Sequence, residues 1–187
     1  MYILRREHMK HEIIDTVLNV SDTDITFDGI YEKPYIPIEY MADIKKANLL
    51  IIPNEGFRDE GDVLFPETTR EFFDFIKETA GDDVIVDIAV SDEDFQCIEL
   101  HSAAIEVATI IVESALFSIA INLVSSFLYD LIKKYHRKAE DTSAKVKIIT
   151  EETDKKKTKM ITYEGPVSGV KDTLDQVAKD LFSKDKV

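Results

Sequence analysis

A single cysteine, Cys97, in 187 residues excludes a disulfide scaffold. Tryptophan is absent, glycine and proline number only 6 and 5, and no repeat or extended low-complexity segment is present. Basic residues are outnumbered, with Lys+Arg 23 against Asp+Glu 37, a net charge of -14. Such a surface repels a phosphate backbone, so no specific nucleic-acid partner is expected. The N-terminus lacks both an apolar run of signal-peptide length and a small-residue cleavage site, so the expected location is cytoplasmic. Cys97 has apolar neighbours and no basic residue beside it, which predicts a buried, inert thiol.

What is present suffices for a core: 44% of the residues are hydrophobic and 32% charged, which excludes disorder for most of the chain. The charge is split. Residues 1–132 hold 9 basic and 27 acidic side chains, whereas residues 133–187 hold 14 and 10. The two parts either dock on each other or face different partners.

The fold class reads as α/β or α+β, with an acidic α/β part over 1–102, a long apolar helix with a basic end over 103–138, and a ββα module over 139–187. Ile13, Ile14, Val17 and Leu18 share one helical face, predicting a short helix over 9–20. Ile25–Ile30 alternates like a strand. Pro34 and Pro37 then hold an extended segment. Ala47–Pro53 is a buried strand and Asn54–Asp62 a polar loop. A helix capped by Thr68 or Thr69 runs to about Thr79, and Asp83–Val90 is a second strand. Together these suit a right-handed βαβ unit. Phe95–Leu100 is a further short strand. In the tail, Lys145–Thr150 and Thr158–Tyr163 pair as a hairpin ended by Gly165-Pro166. A helix capped by Ser168 follows, with Val170, Leu174, Val177, Leu181 and Phe182 on one face.

Between Val107 and Tyr129 the only charge is Glu113, and no glycine or proline interrupts. A thirty-residue helix here would span roughly 45 Å. Its length meets the requirement for a membrane span, with the basic cluster Lys133-Lys-Tyr-His-Arg-Lys on the cytoplasmic side. Glu113 and the missing signal peptide oppose that reading. A core helix and a helix shared with another chain are the alternatives. Ser114, Ser118, Asn122 and Ser126 recur every four residues, a ridge of small side chains that lets a second backbone approach. These four, with Lys133, Lys134, Arg137 and Lys138, are the candidate partner-binding residues.

For chemistry, the loop after the first buried strand offers Asn54, Glu55, Arg58, Asp59, Glu60 and Asp62, and the next strand offers Asp87, Asp92, Glu93 and Asp94. Sites in open α/β sheets collect at carboxyl ends of strands. Glu55, Asp59, Asp62 and Asp87 are therefore the candidate ligands of Mg2+ or Ca2+, in the alternative that the protein is a metal-dependent enzyme. The spacing matches no EF-hand, P-loop or dinucleotide fingerprint, and a solvated acidic loop is the simpler reading. His8 and His11, at i and i+3, read as a surface pair, and His101 as a helix cap or partner contact. No Gly-x-Ser-x-Gly, His-Glu-x-x-His or Cys-x-x-Cys pattern occurs. Neither a cofactor nor a catalytic residue is expected.

The order of a long apolar helix (Ile105–Ile132), a basic cluster (Lys133–Lys138), a hairpin (Lys145–Tyr163) and an amphipathic helix (Val170–Phe182) resembles the effector-associated constant components of bacterial conflict systems. The likeness covers under half of the chain, in order and composition. The tryptophan before the basic cluster and the glycine in the hairpin turn are missing. The resemblance implies an accessory subunit in antiphage or inter-bacterial conflict. The functional expectation is a non-enzymatic accessory or adaptor subunit that binds a protein partner or a second copy. A membrane-associated effector acting through 105–132 is the third reading.

Overall fold

Segments rich in β-branched residues, with no polar face, form the middle of the structure. In the computed structural model, residues 15–55, 63–98, 103–152, 154 and 157–182 are described. The strands are β1 (Val17–Asp22), β2 (Leu49–Ile52), β3 (Asn54–Glu55), β4 (Val63–Pro66), β5 (Val86–Ile88), β6 (Cys97–Ile98), β7 (Ile105–Glu106), β8 (Thr109–Glu113), β9 (Ser143–Glu152) and β10 (Lys157–Pro166). The α-helices are α1 (Phe27–Tyr31), α2 (Met41–Ile44), α3 (Thr69–Thr79), α4 (Phe117–Lys134) and α5 (Val167–Phe182). The mixed α/β class expected from the sequence holds, with a β-hairpin leading into a final helix.

The main sheet runs β1-β10-β9-β8-β2-β5, with β7 also on β9. β2 and β5 are parallel, with Leu50 opposite Asp87, and α3 lies between them in the chain, as the βαβ pattern predicts. β8 is antiparallel to β2, with Ile51 opposite Ile110, and parallel to β9, with Ile111 opposite Ile149. β9 and β10 are antiparallel over ten residue pairs, from Lys157–Glu152 to Pro166–Ser143. All three sequence segments therefore contribute strands to one sheet. A smaller sheet, β3-β4-β6, lies beside it.

Side chains alternate across the strands and so feed two cores. Leu49, Ile51, Ile110, Val112, Ile148 and Ile161 pack under α3, α4 and α5. Leu50, Ile52, Ile111 and Ile149 face the other way and are covered by Ile30, Ile36 and Ile44, from α1, α2 and the segment between them. Tyr163 donates its hydroxyl hydrogen to the Pro166 carbonyl at 2.7 Å. Gly165 and Gly169 make room for it, since a Cβ on either would stand 2.9 or 2.8 Å from the Tyr163 oxygen.

Several expectations are corrected. The long helix is the largest. Residues 105–113 are strands, Ser114–Leu116 is a 3-10 turn, and only Phe117–Lys134 is α-helical, about 27 Å long. A strand buried between two neighbours carries no polar face, so its apolar run has no period that distinguishes it from a buried helix. Residues 17–20, expected in a helix, belong to β1, because pairing with β10 overrides the local pattern. The rest of that predicted helix, up to residue 14, lies outside the described residues. Residues 27–30, expected in a strand, belong to α1, where Thr26 accepts a hydrogen bond from the Gly29 N–H at 3.0 Å and caps the helix. Pro34 lies in a turn rather than an extended segment. Neither Thr68 nor Thr69 caps α3 through its side chain; Thr68 donates to the Glu106 carbonyl and Thr69 to the Pro66 carbonyl. Ser168 lies inside α5 rather than before it.

Candidate functional site

The second face of the sheet is only partly covered. Beyond α1 and α2 it opens into a cleft of about 810 Å³. Its floor comes from β9 and β10, one wall from Ile25, Gly29, Ile30 and Lys33, and one end from Pro53, Asn54, Glu106 and Thr109.

A polar row crosses this floor, between the Lys145–Glu164 pair on one side and Ile149 and Met160 on the other. Lys147 on β9 stands opposite Thr162 on β10, which stands opposite Asn19 on β1. On the other side, Thr109 precedes Ile110, the partner of Ile148, and so lies beside Lys147. Thr109 is also the partner of Ile52 on β2. Its hydroxyl donates to Asn54 Oδ1 at 3.2 Å, and Asn54 Nδ2 donates to Glu106 Oε1 at 3.1 Å. The Thr109 side of this network is buried, so an unmade bond there would leave an unsatisfied group, at a cost of about 1–3 kcal/mol.

The network depends on a bulge. Ile105 pairs with Ala144 and Ile110 with Ile148, so five steps along β7–β8 match four along β9. The extra residue falls at Val107–Ala108. Without it, Glu106 and Thr109 would point to opposite faces of the sheet. With it, both line the cleft and Asn54 bonds to both.

Asn54 was part of the loop identified from sequence; Glu106, Thr109, Lys147 and Thr162 were not singled out. The β-branched run Thr109-Ile-Ile-Val was the signal available for a strand.

The predicted site residues are dispersed. Ser118, Asn122 and Ser126 lie on the exposed side of α4, and Asn122 Oδ1 accepts from Lys171 Nζ of α5 at 2.8 Å. Ser114 is off the helix, in the 3-10 turn. Lys134 binds Glu71 of α3 at 2.7 Å, and this partner raises the lysine pKa. The basic and acidic parts of the chain thus meet at this pair. Lys133 and Lys138 are exposed, and Arg137 lies over the Tyr135 ring, 6.0 Å from its centroid. His136 closes α4 at φ 52, while the Arg137 N–H reaches the Ile132 carbonyl at 2.9 Å, a Schellman ending. Ten residues of α4 are buried, although its length and composition meet the requirement for crossing a membrane.

Of the candidate metal ligands, Asp59 and Asp62 lie outside the described residues, as do Arg58, Glu60 and the Glu55 side chain. His8, His11 and His101 do also. Asp87 sits within β5 rather than at its carboxyl end. Desolvation holds its carboxyl above the ordinary value of 3.8, and Asp43 and Asp92 add to the effect, opposed by the Ile88 N–H at 2.8 Å. Among the described residues no three His, Cys, Asp or Glu side chains gather as a metal site. Cys97 is exposed rather than buried. Its sulfur contacts the Pro66 carbonyl at 3.6 Å, and partial desolvation raises the thiol pKa, which disfavours the nucleophilic thiolate. No family model, no curated protein and no solved structure matches the chain.

Proposed function

We propose that this chain is a non-enzymatic accessory subunit that works in the cytoplasm by holding an extended segment of a protein partner, or of a second copy, along β1. One observation carries the reading. β1 is the last strand of the sheet, and among the described residues no strand pairs with its outer edge. Val17, Leu18 and Val20 on it are 61%, 42% and 39% exposed. An outer strand has unpaired N–H and C=O groups on its free side, and proteins usually blunt it with lysine, proline or a bulge. Val17–Asp22 contains neither lysine nor proline, and its six residues pair with β10 without a register break. Strand addition satisfies such an edge, with alternate side chains giving selectivity. A role in bacterial conflict is part of this proposal and rests on the layout resemblance.

The test is a Leu18→Lys/Val20→Lys variant of the full chain, examined by size-exclusion chromatography with light scattering after expression beside its native neighbours. The wild type is expected to carry a companion in fixed ratio. The variant is expected to run at the mass of one chain with an unchanged melting temperature, since both side chains are already exposed. Retention of the same companion by the variant would refute docking on β1.

A further inference from the structure

We propose that the cleft on the second face of the sheet binds a small amphiphilic anion, a molecule with one terminal oxyanion and an apolar body. The volume of about 810 Å³ lies within the roughly 300–1,000 Å³ usual for small-molecule sites.

The charges lining it are mostly engaged. Glu164 faces the Lys145 ammonium at 3.6 Å, and Glu106 accepts from Asn54. Asp24 and Lys33 lie on the wall side. Lys147 is different: its ammonium has no hydrogen bond or ion pair among the described residues, and it stands in the middle of the floor. Its cross-strand neighbour Thr162 presents a hydroxyl whose hydrogen is not committed among the described residues. Thr109 spends its own on Asn54. An oxyanion set between Lys147 and Thr162 therefore gains two charge-assisted hydrogen bonds, one from the ammonium and one from the hydroxyl, without displacing an existing pair. Apolar side chains also line the cleft: Ile25, Val107, Ile149 and Met160. An apolar body has surface to cover there, whereas a bare ion does not.

The oxyanion can be a carboxylate or a phosphate monoester, and the probes separate them. Octanoate, octyl phosphate, octanol and inorganic phosphate are titrated into the full chain by calorimetry, below their aggregation concentrations. At least one of the two octyl anions is expected to bind once per chain with Kd below about 1 mM. Octanol and inorganic phosphate are each expected to bind at least about tenfold more weakly. Lys147→Met keeps the stem and removes the charge; it is expected to weaken the anion at least about tenfold and leave octanol unchanged. Lys179→Met, at an exposed lysine of α5 on the other side of the sheet, serves as the charge control and is expected to change affinity less than about threefold. The proposal is overturned by no binding of either octyl anion, by octanol binding as tightly, by inorganic phosphate binding as tightly, or by indifference to Lys147→Met. The Leu18→Lys/Val20→Lys variant tests docking on β1 separately, because Leu18 and Val20 lie on the opposite face from the cleft, which Val17 of the same strand lines.

Discussion

The two faces of the sheet are built by the same strands and reach opposite outcomes. Among the described residues, the face under α3, α4 and α5 belongs to a cluster of thirty buried apolar residues, and the other to a cluster of nine. Adjacent residues are dealt to different sides: Ile110 and Ile148 to the thick layer, Ile111 and Ile149 to the thin one. On the thick side three long helices close over the strands. On the thin side, short helices and turns cover β2, β8 and the middle of β9, and the lower halves of β9 and β10 stay open. Burial concentrates stability where the cover is thick, and leaves polar side chains free to meet a ligand where it is thin.

The sharpest way to break this contrast is to remove a ring from the thick side. Phe127 lies 4.9 Å from Phe72 and 5.6 Å from Phe75, ring centre to ring centre. Phe127→Ala is expected to cost about 3–5 kcal/mol in urea denaturation. An effect below about 1 kcal/mol would show that the helical layer does not carry the stability assigned to it.

On the thin side, Thr109→Val conserves shape and deletes the hydroxyl that binds Asn54. A loss of about 1–2 kcal/mol is expected, with octyl-anion affinity also reduced as Asn54 and Glu106 lose their anchor. No change in either quantity would make the polar row incidental.

The thick side contains its own flaw. Thr150 and Ser125 are buried, and among the described residues their hydroxyl oxygens have no partner. Thr150→Val is expected to raise stability by about 1 kcal/mol, because an unsatisfied hydroxyl is replaced by a methyl group of similar volume. A destabilised Thr150→Val protein would mean that the hydroxyl has a role the apolar layer conceals.

The smallest effect concerns Asp87. Its folded pKa lies above its unfolded value, so the native state binds its proton more tightly, and this contribution to stability declines as pH rises through the carboxylate range. Asp87→Asn should therefore raise the melting temperature at pH 7, and the advantage should shrink as pH falls toward the ordinary aspartate value of 3.8. A gap that is constant from pH 7 to about pH 4 would refute desolvation as the cause.

Legibility in the sequence followed the same division. The βαβ unit could be read because β2 is short, wholly apolar and bounded by polar residues, and because α3 has a clear apolar stripe. The hairpin and α5 could be read from alternation and from Val170, Leu174 and Val177. Residues 105–113 could not, because β8 is buried by neighbours on both sides and its run Ile110-Ile-Val merges with the apolar start of α4. β1 could not, because its conformation comes from β10, about 140 residues away, and not from its own pattern. The cleft was illegible for the same reason: its floor exists only once β8, β9 and β10 lie side by side, and only Asn54 of its polar residues stood near a recognisable strand end.

The bulge at Val107–Ala108 also determines how this segment tolerates changes in length. It acts as a phase marker in a strand whose side chains keep a two-residue beat. Removing Ala108 takes out the extra residue and restores plain alternation, so Ile105 stays under the helices and Glu106 and Thr109 stay on the cleft side. Removing Ile111 instead puts the residues between it and the bulge out of phase, so that Thr109 swings under the helices while Ile110 turns outward. One codon lost from β8 would thus bury a hydroxyl and empty an isoleucine site together, a far heavier penalty than loss of the bulge residue itself. A deletion scan across residues 103–113, scored by the yield of folded protein, should therefore be mildest at Val107–Ala108 and show its deepest minimum within β8. Single deletions in the exposed turn at Lys138–Asp141 should be comparatively mild.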